Sequence, residues 1–255
     1  MIDVILSSIV QGATEFIPVS SSLHLLILNS LLYNQDVSLL LITGMHMGSV
    51  FALFLFFYLD SKIRVSSFFN INFLKLILIG TVPIFIFGFL LFNFIEGIKQ
   101  VTYLIIFTTF FFGLLLYISD LYSDNKRTLN ELSIRDLLII GFSQCLSLIP
   151  GTSRSASVII SSRIMKIDRE SSILLSLLLS IPVISGAFFL SLYKINTTNS
   201  FSDEALLGTL LSVAFSFFSS YLALKFFYFH SKSYGFKIFA FYRFFLAIIL
   251  YFVYF

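Results

Sequence analysis

Two ionisable side chains stand apart because each lies inside a polar interruption of an apolar segment: Glu15 in TEFIPVSSS at 14–22, and Arg154 in PGTSRS at 150–155. Ionisable groups at membrane depth are costly to hold and mark functional sites by default. Around Arg154, the order Pro150, Gly151, Thr152, Ser153 predicts a turn that opens a short helix with Thr152 or Ser153 as its N-cap. Free amides at that helix end, the hydroxyls of Thr152, Ser153 and Ser155, and a guanidinium that binds two oxygens at once suit a phosphate anion. The alternative, Arg154 paired with Glu15 purely to hold structure, gains little because an ion pair buried in lipid is a poor stabiliser.

The first interruption repeats the design with other groups. Ser20, Ser21 and Ser22 open a second short helix after Pro18, and His24 falls at helical spacing from Ser20 and Ser21. A hydroxyl and an imidazole on one face support general acid–base or nucleophilic chemistry; a serine cap beside a structural histidine is the alternative. A diphosphate monoester carries roughly −3 and Glu15 adds −1, while Arg154 and two helix ends return about +2, leaving about −2. A divalent cation such as Mg²⁺, held by Glu15 and phosphate oxygens, closes that gap. Of the other buried candidates, Lys75, Lys225 and Arg243 lie near span ends and are expected to snorkel to the interface. His46 fits a helix-packing hydrogen bond or a site role equally well.

These groups need an apolar scaffold, and the composition supplies one. Of 255 residues, 58% are hydrophobic and 11% are charged, against about 25% charged in soluble domains; mean hydropathy is +0.99. A net charge of +3 without a basic stripe excludes a nucleic-acid binder. The single Cys145 excludes an intramolecular disulfide, and no His/Cys spacing points to structural zinc. Six apolar stretches, 38–58, 73–94, 101–118, 171–193, 205–229 and 238–255, are long enough to cross a bilayer. Regions 1–32 and 137–165 contain the interruptions and read as pairs of half-helices that re-enter the side they came from.

Charge placement supports the re-entrant reading. Lys62, Arg64, Lys126, Arg127, Arg135, Arg163, Lys166, Arg169, Lys232 and Lys237 then share one side, the cytoplasmic one, against Lys99 and Lys194 on the other. FIPVSS at 16–21 aligns with LIPGTS at 148–153, and each copy is followed by three spans. The chain therefore reads as a single membrane domain, 1–255. It is an all-α integral membrane protein whose two units, about 1–118 and 137–255, form an inverted-topology repeat that brings both turns together near the bilayer centre. The N-terminus lacks a basic n-region and reads as mature structure.

The motifs carry a resemblance. QGATEFIPVSSSLH at 11–24 resembles the first signature of the bacterial undecaprenyl-diphosphate phosphatase family, the bacitracin-resistance proteins: Glu or Gln, three residues, Glu, then Pro-x-Ser-Ser and His. PGTSRS at 150–155 is similar to the second. The resemblance implies hydrolysis of undecaprenyl diphosphate to the monophosphate carrier of cell-wall synthesis, in the bacterial inner membrane, with Mg²⁺ or Ca²⁺ and a site opening to the periplasm. By position it assigns Gln11 and Glu15 to the paired acidic-or-amide positions, Ser21 and His24 to the catalytic hydroxyl and imidazole, and Ser153 and Arg154 to the phosphate clamp. The attacking group is Ser21, His24 or water. Val158 stands where the family usually has a phosphate-contacting Thr, leaving Ser155 or Ser157 to substitute, and Leu23 replaces a small residue. A homodimer is compatible with this reading, and a transporter or flippase of polyprenyl phosphate is the alternative function.

Overall fold

The structure is a computed structural model that describes residues 2–28, 39–60, 71–98, 101–198 and 203–255. Lys62, Arg64 and Lys99, used above to assign sides, lie outside the described residues. Among the described residues the chain forms α-helices joined by turns: α1 Ile2–Thr14, α2 Ser21–Leu28, α3 Leu39–Leu59, α4 Ile71–Leu90, α5 Phe92–Ile98, α6 Thr102–Leu121, α7 Ile134–Cys145, α8 Arg154–Ile164, α9 Arg169–Thr198, α10 Asp203–Tyr234 and α11 Lys237–Tyr254. Five of them, α3, α6, α9, α10 and α11, are each long and apolar enough to span a bilayer. By contrast α1, α2, α7 and α8 have 13, 8, 12 and 11 residues. At about 1.5 Å per residue none crosses a core about 30 Å thick. Pro18 and Pro150, with their serine-rich neighbours, are where both broken segments turn.

The sixth expected span, 73–94, is bent: α4 ends at Leu90, and α5 departs from it at 75°. Counted together, the pair is long and apolar enough to make a sixth, broken span.

The helices group into two units. The first holds α1, α2, α3, α9 from Ser180 onward and α10 as far as Phe226; the second holds Ile17–Ser20, α4 to α8, the start of α9, the end of α10, and α11. In the first unit a seam of small residues lets backbones approach closely, as membrane helix packing favours. A Cβ on Gly48 would stand 2.3 Å from the Val213 carbonyl oxygen, and one on Gly12 2.5 Å from that of Ser216. Ser216 Oγ donates to the Met45 carbonyl at 2.6 Å, and Ser220 Oγ donates to the Gly12 carbonyl at 3.0 Å. These bonds pin the neighbours of Gln11 and His46 to α10.

In the second unit α8 is the buried centre. It is rich in serine, yet every residue from Ser155 to Arg163 is buried. Its hydroxyls are satisfied internally: Ser161 Oγ and Ser162 Oγ donate to the Val158 carbonyl at 3.0 and 2.7 Å. Arg163, expected among the cytoplasmic loop charges, is instead fully buried. Its Nε meets Asp120 Oδ1 at 3.2 Å, and Nη1 donates to Asn125 Oδ1 and the Ile167 carbonyl at 2.6 Å each. Arg169 Nε reaches the same Asp120 oxygen at 2.8 Å, and the Phe236 amide donates to Asp120 Oδ2 at 3.2 Å. One carboxylate therefore joins the ends of α6 and α8 to the starts of α9 and α11. Asp120→Ala strands two guanidinium groups, one of them fully buried, and is expected to cost about 3–5 kcal/mol, read as a lower thermal midpoint in detergent.

Outside the spans, α7 begins with a reciprocal cap. Ser133 Oγ accepts from the Asp136 amide, and the Asp136 carboxylate accepts from the Ser133 amide at 2.8 Å. The Arg127 guanidinium, bonded to it at 2.5 Å, chiefly holds the Asp136 carboxyl down at about 2. Because the folded value lies below the ordinary one, this stabilisation is present above about pH 4 and lost as pH falls toward 2. The difference in melting temperature between wild type and Asp136→Asn is expected to be constant from pH 5 to 7 and to shrink below pH 4.

Candidate active site

Each unit assembles one of the two sets of residues singled out in the sequence. In the first, α1 carries Gln11, Glu15 follows its last residue with its amide bonded to the Gln11 carbonyl at 2.9 Å, and α3 carries His46. Gln11 is buried, and its Nε2 donates to Glu15 Oε2 at 2.5 Å and lies 3.3 Å from His46 Nδ1. Ser21 Oγ, from the first residue of α2, donates to the same carboxylate oxygen at 2.9 Å. His46 Nδ1 stands 4.0 Å from Glu15 Oε2, with side-chain exposures of 21% and 8%. His46 thus makes a hydrogen bond between α1 and α3 beside Glu15, which is compatible with either of the roles named above. His24 lies half-buried in the first turn of α2, Ser22 is exposed, and Leu23 is buried.

In the second unit, Ser153 caps α8. Its Oγ accepts from the Ala156 amide at 3.4 Å, which settles the choice between Ser153 and Thr152. Thr152 is fully buried. Arg154, the first residue of α8, is the only residue between 151 and 163 that is not buried. Ser155 Oγ donates to the Ile17 carbonyl at 3.0 Å and lies 3.1 Å from Ser153 Oγ, and Ser157 Oγ donates to the Ser153 carbonyl at 3.1 Å. Val158 packs with Leu137, Ile140, Ile167, Leu175 and Leu179, so an apolar side chain there completes a core cluster.

Ser20 and Ser153 both have a positive φ, 73° and 72°, and each immediately precedes a short helix. Gly151 also has a positive φ, 85°. A Cβ there would lie 2.3 Å from Thr108 Oγ1 and 2.7 Å from the Ile105 carbonyl oxygen, so both conformation and space require glycine.

Arg243 overturns its expected snorkelling. It is fully buried, because five carbonyls around it satisfy all five guanidinium N–H groups, which removes any gain from reaching the interface. Nε donates to Thr109 at 3.1 Å; Nη1 to Pro18 at 3.2 Å and Thr152 at 3.1 Å; Nη2 to Thr108 at 3.3 Å and Gly151 at 2.8 Å. Pro18 belongs to the first turn and Gly151 and Thr152 to the second, so one side chain ties both interruptions to α6. Beside the direct bond from Ser155 to the Ile17 carbonyl, this junction uses a residue that local spacing could not nominate.

Glu15 as the only carboxylate of its cluster, with Gln11 beside it, is a donor set that fits a divalent cation completed by phosphate oxygens. Among the described residues no group of three or more His, Cys, Asp or Glu forms a closed metal cage. A groove of about 410 Å³ between α6 and α11 is lined by Tyr103, Phe107, Phe110, Ala247, Tyr251 and Phe252, among others. Ala247 lies one turn beyond Arg243, so the groove starts beside the clamp.

Comparison with known proteins matches residues 4–249 to the family model described as bacitracin resistance protein BacA. The chain belongs to the BacA family. It is 35% identical to an undecaprenyl-diphosphatase of Pelagibacter ubique over 98% of this chain and 96% of that one. It is also 34% identical to one of Alteromonas mediterranea, over 89% and 88%, and 34% identical to one of Caldicellulosiruptor bescii, over 95% and 93%. Within this BacA-family chain, Arg243→Met removes the donors shared by both turns and is expected to raise amide exchange at 151–153 at least about tenfold. Hydrogen exchange read by mass spectrometry checks this, with Arg243→Lys, which keeps three donors, falling in between.

Proposed function

We propose that the protein hydrolyses undecaprenyl diphosphate to undecaprenyl phosphate and phosphate, recycling the carrier lipid of bacterial cell-wall synthesis. Family membership supports the reaction, and one structural observation carries its assignment to these residues. Arg243 binds backbone three residues from both Glu15 and Ser21 and, through the same nitrogen, backbone one residue from Ser153. The turn residues of both motifs thereby share a single side chain.

In this reading Ser153 leaves the first amides of α8 directed at the terminal phosphate, and Arg154 binds its oxygens. Thr152 contributes its backbone to the clamp, while Ser20, Ser22 and Ser155 border the diphosphate. Glu15, held by Gln11 and Ser21, is placed to take the proton of the attacking group; the Ser21 hydroxyl already directs its proton there. His24, on the same face of α2, gives or takes the second proton. The attacking group bonds to the terminal phosphorus as the anhydride P–O bond breaks and undecaprenyl phosphate leaves; attack by water gives phosphate directly, whereas attack by Ser21 or His24 gives a phosphoenzyme whose bond to phosphorus water then cleaves to release phosphate. Mg²⁺ or Ca²⁺ on Glu15 and the phosphate oxygens supplies charge neutralisation. Positioning and electrostatics provide most of the rate, as in other phosphoryl transfers. The polyprenyl tail lies in the aromatic groove between α6 and α11.

The same reading takes the two broken segments as re-entrant halves of an inverted repeat in the inner membrane. The basic loops are cytoplasmic, and the site opens to the periplasm. The serines of positive φ that precede both α2 and α8 support the repeat. The test is phosphate release from a polyprenyl diphosphate by the purified protein with Mg²⁺ or Ca²⁺. Glu15→Ala and Arg154→Ala are each expected to lose at least about 100-fold. Undiminished release in either variant overturns the assignment, and lipid translocation without phosphate release favours a transporter.

A further inference from the structure

The groove between α6 and α11 has braced walls. Four of the rings that line it each rest on a ring that does not. Tyr103 stacks on Phe255 with centroids 4.1 Å apart, and Phe107 stacks on Phe111 at 5.6 Å. Phe110 leans on Phe244 at 5.1 Å, and Tyr251 leans on the same Phe255 at 5.9 Å. These contacts hold the walls to one shape. The inner end adjoins the clamp from both helices. Phe110 follows Thr109, whose carbonyl accepts from Arg243 Nε, and Ala247 lies one turn beyond Arg243.

The size of the groove sets how much of a tail it can hold. At about the 30 Å³ that a water takes up in the liquid, the five carbons of an isoprene unit need about 150 Å³, so 410 Å³ seats about three units. What the groove can read is limited by the solvent around it. A tail that leaves the bilayer for the groove gains no hydrophobic stabilisation, because lipid is as apolar as the rings; packing and chain entropy alone separate one tail from another. A fixed groove costs a chain its torsional freedom. An isoprenoid carries one double bond and one methyl branch in each five-carbon unit. It therefore has fewer torsions to lose than a straight saturated chain with as many carbons, and its branches fill the width between facing rings.

We propose that this groove is the specificity site for the tail: it takes the three or so isoprene units nearest the diphosphate and selects them by shape over a straight saturated chain. The inference rests on the lipid diphosphate reading above and names what that site discriminates against.

The test uses the purified full chain in micelles of one detergent. The probes are the methylene-bridged, non-hydrolysable analogues of farnesyl diphosphate, which has three isoprene units, and of pentadecyl diphosphate, a straight saturated chain with as many carbons. Calorimetric titration gives the affinities, expressed per mole of probe in the micelle. Wild type is expected to bind the farnesyl analogue at least about tenfold more tightly. Phe107 is exposed, so Phe107→Ala leaves the buried core intact. It is expected to bring the ratio within about threefold by weakening the farnesyl analogue alone. Phe218→Ala, at an exposed ring on α10, is expected to keep the wild-type ratio. A wild-type ratio near one, a ratio unchanged in Phe107→Ala, or a ratio lost equally in Phe218→Ala overturns the proposal. Phosphate release from farnesyl diphosphate with Mg²⁺ keeps the two readings apart. Release with equal affinities leaves the hydrolase and removes the tail selectivity; the tenfold ratio without release leaves the selectivity and removes the hydrolase.

Discussion

Broken helices at membrane depth leave backbone groups that water cannot reach, and those groups must find partners within the protein. Arg243 meets that constraint with an unusual economy. A guanidinium carries five donors in a rigid plane, and all five are spent on main-chain oxygens drawn from α6 and from both turns. A carboxylate partner would have neutralised the charge but joined only one other element. Peptide oxygens spread it over three segments and leave the side chains of both turns available for other work. Thr108 adds to the same junction by donating to the Pro150 carbonyl at 2.5 Å.

The first unit solves the corresponding problem without a charge. Its helices approach until only glycine fits at Gly12 and Gly48, and serines on α10 donate directly to the backbone of α1 and α3. Ser49 Oγ, 3.0 Å from Ser216 Oγ and 2.9 Å from Ser220 Oγ, closes the chain of hydroxyls. The result fixes the Gln11, Glu15 and His46 side chains by holding the peptide groups next to them. Small residues thus do here what the guanidinium does at the turns.

Much of this was legible in the sequence because its signals are local. Proline with serine or glycine marks both breaks, length and hydropathy mark the spans, and the cap at Ser153 follows from its place before a helix. What was not legible depends on partners far away in the chain. Arg243 lies one turn into a terminal span, the usual place for a snorkelling side chain, and its acceptors at Thr152 and Pro18 are 91 and 225 residues distant. His46 looked equally like packing because its neighbours come from another helix. The bend at Leu90 was missed because hydropathy continues past it.

Helix α8 has a consequence of its own. A helix carries about half a positive charge at its N-terminus and half a negative charge at its C-terminus, and in water both are largely screened. Here the helix body is sealed inside the protein with its hydroxyls turned back on its own carbonyls. Its negative pole meets Arg163, with Arg169 and Asp120 close by. Two cations against one anion leave that pole answered. The positive pole ends at Arg154, half-buried beside buried neighbours. In a medium of low dielectric the field of that pole persists over a longer distance than it would in water. The serine-rich composition of α8, which looks ill-suited to a membrane interior, is compatible with burial because the hydroxyls find carbonyl partners, and it leaves the dipole of the helix largely unscreened along its body.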